Sequence, residues 1–255
     1  MNYKLTIQYD GTEFHGWQVQ GAGERTVQGE LARVLTLLDG GEVAVHGAGR
    51  TDAGVHAEAQ VASVHLRREF TGEKLRAALN GNLARDVRVI AAEIVPDDFH
   101  ARFSAQGKTY CYRIFNARVL SPFWARYALH EGRAIETRLM QQHAEHFVGE
   151  HDWTAFSCAQ TDALTRVRRV TLVEVSEHWS ARGRGRLIEI RVSGEGFLRY
   201  MVRSIAGTLV AAGRGEVDAA RIQTALRTGD RSLAAPTAPA HGLTLVEVHY
   251  ENSDE

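Results

Sequence analysis

The chain is poor in several residue types. It carries only two cysteines, Cys111 and Cys158, in 255 residues. They form no CxxC pair, which excludes a disulfide framework and fits a reducing compartment. The four prolines, Pro96, Pro122, Pro236 and Pro239, all fall between the expected helices and strands. No run approaches the roughly 18 apolar residues of a membrane span, so no membrane partner is expected. The start, MNYKLTIQYDG, lacks the charged and then apolar pattern of a secretory leader. A cytoplasmic location is expected. Net charge is nearly absent, since 30 Lys+Arg against 31 Asp+Glu leave −1. That excludes a histone-like polycation and, taken alone, weighs against a phosphate-rich partner. Lysine is scarce too, 3 residues against 27 arginines. Arginine forks onto phosphates and stacks on bases as lysine does not, so this skew points the other way.

What remains is ordinary globular composition, 44% hydrophobic and 24% charged. The length suits one large domain or two of roughly 100–150 residues. Residues 3–9 (YKLTIQY) alternate with the period of a strand. Val27, Leu31, Val34, Leu35 and Leu38 follow at helical spacing behind Thr26, a good N-cap. Strands over 43–46 and 60–66, a capped helix over 71–79 and a strand over 87–95 complete a β-α-β-β-α-β order. The second half repeats it. Strands are expected over 109–115, 167–175, 187–192 and 244–250, with helices over 136–148, 197–212 and 218–227. This order is that of the ferredoxin-like unit. The expected fold is therefore α+β, with two such units, residues 1–104 and 105–255, whose antiparallel sheets join into one central sheet.

Chemistry concentrates in residues 47–57, GAGRTDAGVHA, between the second and third strands. Gly47, Gly49 and Gly54 surround Arg50 and Asp52. Glycines allow tight turns and close backbone approach to a ligand. A neighbouring cation keeps an aspartate ionised, as a nucleophile or base requires. An aspartate between glycines also makes local turn bonds to its own backbone, and the residues alone leave both readings open. On helical spacing, Arg199 and Arg203 share one face. Arginine is dense in residues 166–203, with nine against four glutamates. The hairpin tip SARGRGR (180–186) carries Arg182, Arg184 and Arg186 with no acid. A basic hairpin flexed by glycines suits phosphate contact, and it equally suits a solvated turn.

Five segments resemble the tRNA pseudouridine synthase A (TruA) family, in its order. They are YDGTEFHGWQVQ (9–20), GRTDAGVHA (49–57), FHARFSAQGKTYCYRI (99–114), GFLRYMVRSIAG (196–207) and APAHGLTL (238–245). The resemblance spans essentially the whole chain. It implies a pseudouridine synthase fold and conversion of uridine to pseudouridine at positions 38, 39 and 40 of the tRNA anticodon stem-loop. It implies Asp52 as catalytic aspartate and Arg203 as the arginine that pairs with it. Arg50 would bind substrate and help displace the target base, and Tyr110 would stack on the uracil. Gly242 and Leu243 match the pair whose leucine lines the uracil pocket. The implied partners are tRNA and a second copy in a homodimer, with no cofactor. Tyr112, on the same strand face as Tyr110, is assigned to packing.

Rival chemistries fare worse. His56-Ala57-Glu58 and His143-Ala144-Glu145 both spell the HxE of zinc deaminases. That class also needs P-C-x-x-C, which neither cysteine supplies, so no metal site is expected. Gly107-Lys108-Thr109 ends like a phosphate loop, but Arg102 stands where the first glycine belongs. No nucleotide cofactor is expected. A non-catalytic RNA-binding module of the same architecture is the alternative function, because fold does not fix activity.

Overall fold

The computed structural model describes residues 1–21, 23–160 and 163–251. It contains two compact units: Met1–Gln106 with the closing strand from Thr244, and Gly107–Leu243.

The first unit runs β1 (Asn2–Tyr9), α1 (Val27–Asp39), β2 (Val45–Gly47), β3 (His56–His65), α2 (Gly72–Asn82) and β4 (Val87–Val95). β1 lies between β4 and β3, antiparallel to both, and β2 adds antiparallel to β3. Tyr3, Leu5, Ile7 and Tyr9 are all buried, the period-two face that a strand gives to its core. α1 begins where Thr26 Oγ1 accepts the Gly29 N–H at 3.2 Å. It buries Val27, Leu31, Val34 and Leu35, each contributing about 1.5–3 kcal/mol of hydrophobic stabilisation. Gly40 ends it in the left-handed region, at φ 75°.

The second unit holds β5 (Ala105–Asn116), β6 (Leu129–Glu131), α3 (Thr137–Ala144), β7 (Gly149–Asp152), β8 (Val167–Ser180), β9 (Gly185–Gly194), α4 (Met201–Gly213) and α5 (Ala219–Thr228). Its strand order is β5-β9-β8-β7, with β6 parallel to β5. α4 is apolar on nearly every side and is buried from Ser204 to Ala206 and from Thr208 to Gly213. Phe147, Trp153 and Phe156 form an aromatic knot with centroids 5.2–6.2 Å apart. The Trp153 indole donates to the Arg168 carbonyl at 2.9 Å.

The last strand, β10 (Leu243–Tyr250), runs parallel to β3 through Thr244–His56 and Leu245–Ala57. Tyr250 also donates to the Ala101 carbonyl at 2.7 Å. This strand therefore groups with the first unit, where a division after residue 104 assigns it to the second. Element order cannot see a pairing between distant segments. The parallel pairs also make the strand pairing of each unit mixed rather than purely antiparallel. The helix expected over 197–212 begins only at Met201, because Tyr200 takes a left-handed φ of 68°. Apolar spacing continues through Leu198, but spacing carries no information about a backbone reversal. Arg199 lies before α4, so it and Arg203 do not share a helix face. The helix expected over 136–148 is α3 followed by a 3-10 turn, Glu145–Phe147. Among the described residues, no helix is long and apolar enough to cross a membrane.

The carboxylate of Asp39, 2% exposed, closes α1. Its Oδ1 accepts the Arg67 and Arg68 N–H groups, both at 2.9 Å, and Oδ2 accepts Arg67 Nε at 3.2 Å. The Arg68 N–H foremost, then the Arg67 side chain, hold this carboxyl below the usual aspartate range against the opposing effect of burial. A depressed folded pKa stabilises above the unfolded value of about 4 and is lost as pH falls through the folded value. Asp39→Asn should cost about 1–3 kcal/mol in urea unfolding at pH 7. The gap to wild type should narrow as pH falls below about 4. A gap independent of pH would contradict this account.

Candidate active site

Asp52 stands half-buried on the loop between β2 and β3. The 9–20 segment clamps that loop. Trp17 N–H donates to the Thr51 carbonyl at 3.0 Å, and Gly54 N–H donates to the Phe14 carbonyl at 3.3 Å. The Tyr9 and Thr51 hydroxyls bond at 2.8 Å. Gln60 donates to the Gly49 carbonyl at 3.1 Å from the other side. Glycine is required where backbones meet. A Cβ on Gly16, at φ +93°, would lie 2.7 Å from the Thr51 carbonyl oxygen. One on Gly11 would collide with the Val55 carbonyl. One on Gly47 would lie 2.5 Å from the Trp17 ring. Burial pushes the Tyr9 hydroxyl up to about 12, so it stays protonated at neutral pH. Arg50 is exposed, and its Nε donates to Gln18 Oε1 at 3.0 Å. His56, half of an HxE pair, is buried and accepts the Gly11 N–H on Nδ1 at 3.0 Å. That bond ties the clamp to the start of β3.

The second unit carries Tyr110, Arg203, Gly242 and Leu243. Tyr110, on β5, is 7% exposed and meets the Phe197 ring edge-on at 5.2 Å. Tyr112 is fully buried and donates to the Pro239 carbonyl at 3.0 Å. Burial raises its hydroxyl pKa, with the Arg203 charge opposing. A Cβ on Gly242 would lie 2.6 Å from Tyr112 Cζ, so this glycine makes room for the Tyr112 ring. Arg203 Nε donates to the Ala238 carbonyl at 2.8 Å, and Ala238 N–H returns a bond to the Arg203 carbonyl at 3.1 Å. The guanidinium carbons of Arg199 and Arg203 each lie 4.9 Å from the Tyr200 ring centre. A Cβ on Gly207 would collide with the Pro236 carbonyl. The 196–207 and 238–245 segments are therefore one packed pair, as 9–20 and 49–57 are in the first unit. His241 lies beside Gly242, and burial lowers its pKa.

The glycines of the 180–186 hairpin tip make room for packed rings rather than for a bend. A Cβ on Gly183 would lie 2.7 Å from both Phe115 and Trp124, and one on Gly185 would lie 2.7 Å from Phe115. The positive φ, 54°, belongs to Arg184. Arg182 and Arg184 are exposed. Arg186 is held by Glu177 at 2.9 Å, Asn116 at 2.6 Å and the Ile135 carbonyl at 2.8 Å. Among the described residues, no group of three His, Cys, Asp or Glu is arranged to hold a metal.

Tyr9, Gly16, Trp17, Thr51 and Gln60 position the Asp52 loop, and none of them stands out by residue type. The signal for Tyr9, Gly16, Trp17 and Thr51 is that they lie in the 9–20 and 49–57 segments of the resemblance, and Gln60 lies outside all five.

The sequence matches define the class of this chain. The family model described as tRNA pseudouridine synthase matches residues 5–104 and 143–251. The chain belongs to that family, whose members are isomerases. Curated relatives named tRNA pseudouridine synthase A agree along nearly the whole chain. The Bacillus sp. (strain KSM-64) protein is 41% identical over 98% of this chain and 99% of its own. That of Solidesulfovibrio magneticus is 45% identical over 97% and 90%. That of Allorhizobium ampelinum is 42% identical over 97% and 94%.

Gly16→Ala should shift the Thr51 backbone by several tenths of an ångström or more. Misplacements of about 1 Å cost roughly 100-fold in rate, so pseudouridine formation should fall by about 10- to 100-fold while circular dichroism stays native. Full activity with a native spectrum would show that the clamp does not position the loop.

Proposed function

We propose that this enzyme isomerises uridine to pseudouridine at positions 38, 39 and 40 of the tRNA anticodon stem-loop, with Asp52 as the catalytic carboxylate. The observation that carries the reading is the Asp52 loop. Asp52 is half-buried, and both flanks of it are held by backbone bonds from the 9–20 segment. A fixed carboxylate is what stabilising a transition state at a single nucleotide requires.

The reaction breaks N1–C1′, turns the uracil and forms C5–C1′. A proton leaves C5 and N1 ends protonated, so atoms balance with no donor and no redox change. No cofactor is part of the proposal. Asp52 acts by attack at C1′, by addition at uracil C6 or by removal of a 2′ proton, and each route places one ionised carboxylate against the nucleotide. Extruding the base costs a few kcal/mol. Stacking on Tyr110 recovers part of that cost, Arg50 helps displace the base and Leu243 lines its pocket beside Gly242. Arg203 is needed for turnover. Arg182 and Arg184 contact phosphates. Arg186 already holds three protein acceptors, so its share of that contact is smaller. The enzyme acts as a homodimer in the cytoplasm.

Carbodiimide labelling and primer extension on an unmodified tRNA transcript test the reading. Wild type should mark positions 38–40. Asp52→Asn should mark none while still binding the transcript, and Arg203→Ala should lose product with its fold intact. Binding by wild type without any product would favour the non-catalytic RNA-binding module. Product outside the anticodon arm would overturn the site assignment.

The electrostatic part has its own measurement. Replacing Arg182 and Arg184 by Gln should reduce the slope of log K against log salt by about 0.7–0.9 for each phosphate no longer neutralised. An unchanged slope rejects the phosphate role.

A further inference from the structure

The hairpin tip forms one wall of an open groove of about 680 Å³, and the 116–123 segment forms the other. Four of the fourteen lining residues are arginines, Arg118, Arg182, Arg184 and Arg186, and none is acidic. Two large aromatics also line it and face solvent, Phe123 at 61% exposed and Trp179 at 66%. Arg186 is paired with Glu177. Isolated exposed aromatics are ordinary, but two in one concavity with Arg118, Arg182 and Arg184 are not. The walls are packed from behind. Trp124 stacks on Phe115 at 6.5 Å and donates to Ser180 Oγ at 3.0 Å. The hairpin glycines fit only because they lie directly on that pair. Arg186 anchors the hairpin base through Asn116 and Glu177.

We propose that this groove binds an unpaired nucleotide of the RNA substrate, with its base held against both Trp179 and Phe123 and its phosphates on Arg118, Arg182 and Arg184. The inference rests on the tRNA reading above. It adds a base-stacking site on residues other than Tyr110 and Asp52. The chemistry is that of single-strand binding, in which a basic track holds the backbone and π-faces hold bases of any sequence. Cation–π contact reinforces it, and Arg182 already lies 5.9 Å from the Phe123 ring centre. Charge selects the occupant. A second copy docking through this patch about a two-fold axis would bring two positively charged patches together, whereas a polyanion neutralises them.

The test is fluorescence anisotropy of an end-labelled, full-length tRNA transcript titrated with the intact protein across a salt series. Trp179→Ala and Phe123→Ala should each raise Kd by about 10-fold, given stacking losses typical of alanine substitution. Neither should alter the salt slope, because neither removes a charge. Trp179→Phe should recover most of the affinity, and a short oligouridylate should compete more weakly for Trp179→Ala than for wild type. Unchanged Kd in both alanine variants overturns the proposal. So does a change of oligomeric state in Trp179→Ala by sedimentation, which would assign the patch to a second copy. Failure of wild type to form pseudouridine would sink the catalytic reading alone, since Trp179-dependent affinity for the transcript is read separately.

Discussion

The geometry of the first unit depends on one close approach, in which the backbone of residues 9–20 lies directly on the backbone of residues 49–55. Trp17 donates to the Thr51 carbonyl, and Gly16 leaves room for that same carbonyl. A loop carrying a catalytic carboxylate has an entropy problem, because fixing each residue costs about 1–2 kcal/mol. Single hydrogen bonds contribute only about 0.5–1.5 kcal/mol net. Several are needed along a short stretch, and the clamp supplies them from both sides. Buried Tyr9 connects this loop to the strand core, so the position of Asp52 is inherited from the packing of β1. The site is thus a consequence of the fold rather than an attachment to it.

The same device recurs in the second unit. Gly207 lets α4 touch the backbone at Pro236, and Arg203 exchanges two bonds with Ala238. Gly242 then admits the Tyr112 ring. In both units a close backbone approach at a glycine lies beside a candidate site residue, Asp52 in the first and Arg203 in the second. Such contacts leave little freedom for side-chain drift, which is the property a preorganised site needs.

Much of this was legible in the sequence, and what was not has physical causes. The β-α-β-β-α-β order of the first unit and the caps at Thr26 and Thr71 follow from period and composition. The Asp52 loop announces itself by its glycines. Their individual jobs do not appear, because sequence cannot distinguish a glycine that bends from one that makes room. Gly183 and Gly185 read as flexibility and prove to be packing. The left-handed turn sits on Tyr200, a residue with no preference for it. Spacing therefore carries the α4 pattern four residues too far toward the N-terminus. β10 joins β3 through a parallel pairing that no local pattern encodes.

Net charge misleads for a related reason. A total of −1 sums over groups that have already cancelled one another. Arg25 grips Asp86 with two bonds of 2.7 and 2.9 Å. Arg113 holds Glu189 at 2.8 Å, and Arg214 bridges Glu131 and Glu216 at 2.8 and 2.6 Å. These arginines are committed to the fold, where a planar fork suits carboxylates. An approaching polyanion responds to the charge left uncompensated within about 8–10 Å, the screening length at physiological salt. By that measure the hairpin groove is basic in a chain that is neutral overall. The preference for arginine over lysine then serves two ends at once. The same guanidinium that locks an internal carboxylate in one place can, without such a partner, hold a phosphate or lie against a base. Which role each arginine has is decided by whether a carboxylate stands opposite, and that is a property of register and packing rather than of composition.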